Sequence, residues 1–164
     1  QEITNKGQAG IDEIKMAQAN GFEIGNHSFN YDSLPANEEK IKDFIGKTQA
    51  MLTEITGFSN FTFRPPNLSV NKTMQAYIDA PFIDCSIDTV DWNGASVADI
   101  VAAGKKPKDG DIVLMHMTQA NTAAAIDQML TDAEANNIQV VSVSELFAMK
   151  GKTLTTGQVY KSAN

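Results

Sequence analysis

The chain is short of the residues that usually carry special structure or special chemistry. Its 164 residues include one cysteine, one tryptophan, two histidines and five prolines. Cys85 stands alone, so no disulfide forms within the chain, and an unpaired cysteine is more often a small core residue than a nucleophile. No apolar run reaches the roughly 18 residues that a membrane-spanning helix needs. Basic residues are outnumbered 13 to 20 by acidic ones, the formal net charge is −7, and no Lys/Arg cluster occurs. Nucleic acid is therefore not expected as a partner, because nothing would neutralise its phosphates. No internal repeat and no low-complexity linker is present. The chain opens at Gln1 rather than Met, which reads as a processed, cut or truncated start, and the missing signal peptide then says nothing about compartment.

What is present is an ordinary globular composition, 42% hydrophobic and 20% charged. A chain of this length reads as one domain and hides roughly two-thirds of its unfolded surface. Helical and extended patterns alternate along it. Residues 8–20 read as a helix with Ile11, Ile14, Met16 and Ala17 apolar and Gly21 ending it. Phe22–Ile24 reads as a short strand. Asn37 is a good N-cap for a helix whose apolar stripe is Ile41, Phe44, Ile45, Met51, Leu52 and Ile55, closed by Gly57. Phe61-Thr62-Phe63 alternates as a strand. Asn71 caps a helix through Ile78, and Phe82–Ile87 is a strand ending at Asp88. Ser96 caps a helix through Val101. Ile112–Met115 is a buried strand. Residues 122–135 form a helix with Ile126, Met129, Leu130 and Ala133 inward. Ile138–Val143 is the last strand, Ser144 caps Glu145–Lys150, and Gly151 ends that helix. From Lys152 onward the chain reads as a polar, irregular tail, so the boundaries expected are a domain over 1–151 and a tail over 152–164.

This alternation implies an α/β fold with a mostly parallel sheet or a (β/α) barrel. In such folds functional residues gather beyond the C-terminal ends of the strands. His27 follows one apolar run, Arg64 the next, Asp88 and Asp91 the third, and His116 the fourth. His27 reads as a metal ligand or a base, or as a capped loop histidine. Arg64, stiffened by Pro65-Pro66, reads as a carboxylate-holding arginine or as a surface arginine beside a rigid turn. Asp88-Thr89-Val90-Asp91-Trp92 offers a carboxylate to orient a histidine and a Trp to wall a pocket, or a capped turn over the core. His116 reads as a general acid, or as a strand-end histidine satisfied by a carbonyl.

Taken in order, His27-Ser28 with Tyr31, Arg64-Pro65-Pro66, Asp88-Thr89-Val90-Asp91-Trp92 and Leu114-Met115-His116 resemble the NodB-type polysaccharide deacetylases of carbohydrate esterase family 4. The resemblance runs from residue 1 to about residue 150. Arg64-Pro65-Pro66-Asn67 and Leu146 through Gly151 look most like the acetylxylan-esterase members. The resemblance implies a distorted (β/α) barrel and metal-dependent removal of acetyl groups from chitin, peptidoglycan or acetylxylan, outside the cell. It assigns His27 and Tyr31 to a divalent metal such as zinc or cobalt. It assigns His116 as general acid, Asp91 as the carboxylate that orients it and raises its pKa, and Arg64 as the arginine that positions a catalytic aspartate. Asn67 would help hold the oxyanion through its backbone N–H. Pro66, Trp92 and Leu114 fall at substrate-binding positions, with Trp92 and Leu114 walling the acetyl pocket. The family's Thr-Phe-Asp-Asp motif, source of a base and a metal-ligand aspartate, does not occur in these 164 residues. The expectation is a barrel lacking its first strand, helix and strand, completed by a separate N-terminal fragment or a swapped partner chain. The alternative is a catalytically impaired carbohydrate-binding remnant of the same fold.

Overall fold

Local sequence signals set the helices. Asn37 is extended, its side chain accepts the Lys40 N–H at 3.1 Å, and Glu38 and Glu39 occupy the first turn of the longest helix, where negative charge favours the helix dipole. Gly57 ends that helix in the left-handed conformation at φ 76°. The computed structural model describes residues 2–30, 37–105 and 107–164. Its elements run α1 (Glu2–Lys6), α2 (Gln8–Ala19), α3 (Glu38–Thr56), a 3-10 turn (Pro66–Leu68), α4 (Lys72–Tyr77), β1 (Phe82–Ile83) and β2 (Ile87–Asp88). A second 3-10 turn (Asp91–Asn93) follows, then α5 (Val97–Gly104), β3 (Val113–Leu114), α6 (Ala120–Ala135), α7 (Val143–Met149) and β4 (Val159–Tyr160). No described helix is long and apolar enough to cross a membrane.

The chain divides into two compact units, Gln1–Ile83 with Leu154–Val159, and Asp84–Thr153 with Tyr160–Asn164. In the first unit, single parallel bridges join Asn26 to Phe63 and Phe63 to Phe82. The core beside them is Ile41, Phe63, Met74, Ile78, Ala80 and Phe82. Phe63 and Phe82 are fully buried and meet edge to face at 5.3 Å. Burying each contributes about 2–3 kcal/mol, and the edge-to-face geometry adds about 1 kcal/mol. Asn71 caps α4 by accepting the Met74 N–H at 2.8 Å. In the second unit, β2 and β3 pair in parallel, Ile87 beside Val113 and Asp88 beside Leu114. Ile100 and Val101 of α5 pack with Ala125 of α6. The parallel pairings and alternating helices are those of the α/β class the sequence implies.

Several local expectations are corrected. Phe22–Ile24 is not a strand. Phe22 is 69% exposed, and pairing begins only at Asn26, whose N–H donates to the Thr62 carbonyl at 2.8 Å. The strand expected over Phe82–Ile87 is split, because the Asp84 carboxylate accepts the Cys85 N–H at 2.7 Å and turns the backbone out of the ladder. α6 begins at Ala120, with Thr122 and Ala125 buried, while Leu130 is exposed. Met16 is likewise exposed on α2. Residues 138–142 form no strand despite their β-branched side chains, since α7 starts at Val143. Ser142, not Ser144, is its N-cap, in a capping box with Glu145. Finally, the end of the chain is not irregular. β4 lies there, Phe82 donates to the Gln158 carbonyl at 2.8 Å, and within the second unit Tyr160 stacks edge to face on Phe147.

Candidate active site

Polar side chains follow the parallel pairings in each unit. In the first, the bridge at Asn26 and Phe63 sets the two following residues side by side. The Arg64 N–H donates to the Asn26 carbonyl at 2.9 Å, and His27 Nδ1 meets the Arg64 carbonyl at 2.6 Å. A carbonyl only accepts, so Nδ1 carries the proton and the lone pair of the neutral ring lies on Nε2. Asn26 organises this loop although no motif singled it out. It is 2% exposed, its Oδ1 accepts the Ser28 N–H at 2.9 Å, and its Nδ2 donates to the Ile45 carbonyl. Ser28 is held at φ 68°, a left-handed value that non-glycine residues rarely adopt. Beyond Arg64, Pro65 and Pro66 are buried, whereas Asn67 is exposed in the left-handed region at φ 53°. The metal assignment to Tyr31 falls outside the described residues.

The second unit holds the acid–base candidates. Asp88 ends β2, and its Oδ1 accepts the Val90 N–H at 2.9 Å while Oδ2 accepts from the Trp92 indole at 3.4 Å. The turn forces Val90 to φ 55°, a strained value for a β-branched residue. Asp91, 1% exposed, is delivered under that turn. Its Oδ1 lies 2.7 Å from His116 Nδ1, and its Oδ2 accepts the His116 backbone N–H at 2.6 Å. The same Oδ2 accepts from the Thr122 hydroxyl at 2.5 Å. Burial alone would push the Asp91 carboxyl up. The hydrogen bonds from Thr122 and from the ring and backbone of His116 outweigh it and hold the group below its ordinary value of 3.8. His116 follows β3, whose Leu114 is buried and whose Leu114 carbonyl accepts the Thr89 hydroxyl at 3.0 Å. Trp92 is 55% exposed.

The structure therefore brings His27 to Arg64 in one unit and Asp91 to His116 in the other. Thr122 is the polar contact that the sequence did not announce. A threonine in the first turn of a helix normally signals only a helix start.

The polysaccharide deacetylase family model matches residues 3–81. The peptidoglycan-N-acetylglucosamine deacetylase PgdA of Listeria monocytogenes is 34% identical over 151 residues, which is 90% of this chain and 31% of that protein. The carbohydrate esterase family 4 domain of a multidomain xylanase, from the hindgut metagenome of Trinervitermes trinervoides, superposes with a TM-score of 0.90 at 28% identity. That match covers 98% of this chain and 80% of the other. This chain belongs to the polysaccharide deacetylases of carbohydrate esterase family 4.

A third relative, a family 4 acetyl xylan esterase from Clostridium thermocellum in complex with a cobalt ion, superposes with a TM-score of 0.89 at 27% identity. The match covers 95% of this chain and 80% of that one. The chain spans about a third of the length of the curated relative it matches. A resident metal was tested against its own donors. His27 has the tautomer of a metal-binding imidazole, with the other ring nitrogen held by a backbone carbonyl. Among the described residues, however, no group of three or more His, Cys, Asp or Glu side chains is placed to hold an ion. The described residues thus do not by themselves make a metal site.

Proposed function

We propose that this chain is the deacetylase domain of a carbohydrate esterase, hydrolysing acetyl groups on a polysaccharide, either O-acetyl on xylan or N-acetyl on a glucosamine polymer. The observation that carries the reading is the buried Asp91 carboxylate gripping Nδ1 of His116 just past a parallel strand. With Nδ1–H spent on Asp91, Nε2 is the ring position left to hold or give up a proton. The carboxylate aims the ring, so a proton on His116 Nε2 passes to the departing sugar oxygen or nitrogen, and the proton shed by the attacking water replaces it. The bond broken is acetyl C–O or C–N, water supplies the hydroxyl of the acetate, and the sugar leaves as an alcohol or amine. In this reading the family resemblance assigns His27 to a divalent metal, Arg64 to positioning a carboxylate and the Asn67 backbone N–H to the oxyanion. The family resemblance assigns Pro66 and Leu114 to substrate binding, and the exposed Trp92 offers an apolar face to a sugar ring. A polysaccharide substrate suits an extracellular setting.

The test is acetate release from acetylated xylo-oligosaccharides and from N-acetylglucosamine oligomers, with zinc or cobalt supplied, using this chain together with the N-terminal segment that carries the Thr-Phe-Asp-Asp motif. We expect release from one class, and a loss of at least about 100-fold in His116→Ala, the usual contribution of a general acid. Glycan binding with no acetate from either class refutes the reading and leaves a carbohydrate-binding module without chemistry.

A further inference from the structure

We infer that Thr122 is a positioning residue for the Asp91–His116 pair: its hydroxyl, delivered from the first turn of α6, fixes the carboxylate with one oxygen reserved for the imidazole ring. Asp91 and Thr122 are each 1% exposed, so water cannot stand in for a missing donor. Three donors surround the carboxylate. Oδ2 receives the Thr122 hydroxyl at 2.5 Å and the His116 N–H at 2.6 Å, and Oδ1 faces the ring Nδ1 at 2.7 Å. Two donors occupy Oδ2, so Oδ1 is the oxygen left for the imidazole ring, and rotating the carboxylate would break two bonds at Oδ2.

The hydroxyl is held in place by the core. Thr122 is the third residue of α6, one turn before Ala125, which is fully buried against Ile100 and Val101 of α5. The packing of two helices thus fixes the orientation of one carboxylate. No other described ionisable side chain hydrogen-bonds or ion-pairs with Asp91 or His116. Asp88 is engaged with Val90 and Trp92, Asp99 of α5 accepts from Ser96, and Asp132 of α6 faces Lys105 at 3.9 Å.

The inference uses the deacetylase reading only for what the pair does, and its test is chosen to fail separately. Ring-nitrogen and carboxyl NMR of the intact chain is recorded for the wild type, Thr122→Val and Thr122→Ser across pH. Thr122→Val is expected to raise the Asp91 titration midpoint by about one pH unit, the weight of one lost hydrogen bond to a charge. It should also mix the neutral His116 tautomers, and Thr122→Ser should restore both signals. Acetate release should fall about tenfold in kcat with KM unchanged in the valine variant, and recover with serine. Wild-type midpoint and tautomer in Thr122→Val overturn the inference. If the valine variant does not fold, the wild type decides. A slowly exchanging Thr122 hydroxyl proton close to the His116 amide supports the inference, and exchange as fast as an exposed hydroxyl overturns it. Shifted signals with no acetate from any form leave the positioning role standing and remove the deacetylase reading.

Discussion

His27 and His116 are the two histidines of the chain, and they are treated alike up to a point. Each follows a parallel pairing, and each spends Nδ1 on an oxygen at 2.6–2.7 Å. The oxygens differ. His27 meets a neutral peptide carbonyl, that of Arg64, whereas His116 meets the buried carboxylate of Asp91. A carbonyl fixes the tautomer without strongly rewarding a positive ring, which suits a ligand that must stay neutral. A carboxylate fixes the same tautomer and puts a formal negative charge beside the ring. One ring geometry is thus set by two acceptors, one neutral and one charged.

The sharpest way to break the comparison is to remove the charge. Asp91→Ala strands the His116 N–H and the Thr122 hydroxyl in a buried site, and should cost about 3 kcal/mol in denaturant unfolding. The pH dependence has a definite sign. The Asp91 pKa is lower in the folded chain than its ordinary 3.8, so the unfolded chain takes up the proton first. The stability it contributes is full above about pH 4–5 and is lost as pH falls through the folded value. Urea midpoints between pH 6 and 2.5 should therefore show an acid loss that Asp91→Asn reduces.

Next in size is the scaffold of the neutral histidine. Asn26→Ala removes the acceptor of Ser28 N–H and the donor to Ile45, and should cost about 2 kcal/mol in the same unfolding measurement. It should leave the Asp91 titration unchanged, because its effect is confined to the His27 loop. The smallest effect has the opposite sign. Val90→Gly removes a side chain from a left-handed position that is 41% exposed and should stabilise the chain by about 1 kcal/mol, read from the unfolding midpoint. A loss of stability there would show that the Val90 side chain contributes more by packing than its backbone loses by strain.

How much of this could be read beforehand depended on the range of the interaction. α3 was legible from Asn37 to Gly57 because its cap, its stripe and its terminator are all local. The two histidines were legible as loop residues after apolar runs. Strands were read less well. Residues 138–142 have the side chains of a strand, but β structure needs a partner, and the Ser142–Glu145 capping box gives the adjoining backbone a closer one. Phe22 and Ile24 alternate convincingly, yet the first ladder hydrogen bond from this segment is made at Asn26. Thr122 was not legible, since its role depends on where α6 lies against α5 and on a carboxylate 31 residues earlier in sequence.

The acceptor that orients His27 is part of the main chain. The Arg64 carbonyl sits ahead of Pro65, whose ring restricts the preceding residue to extended conformations whatever side chain it bears. Residue 64 therefore acts on the histidine through its backbone oxygen and not through its guanidinium. The aim of the imidazole at position 27 is thus set by the main chain, and a change of side chain at position 64 should leave it in place.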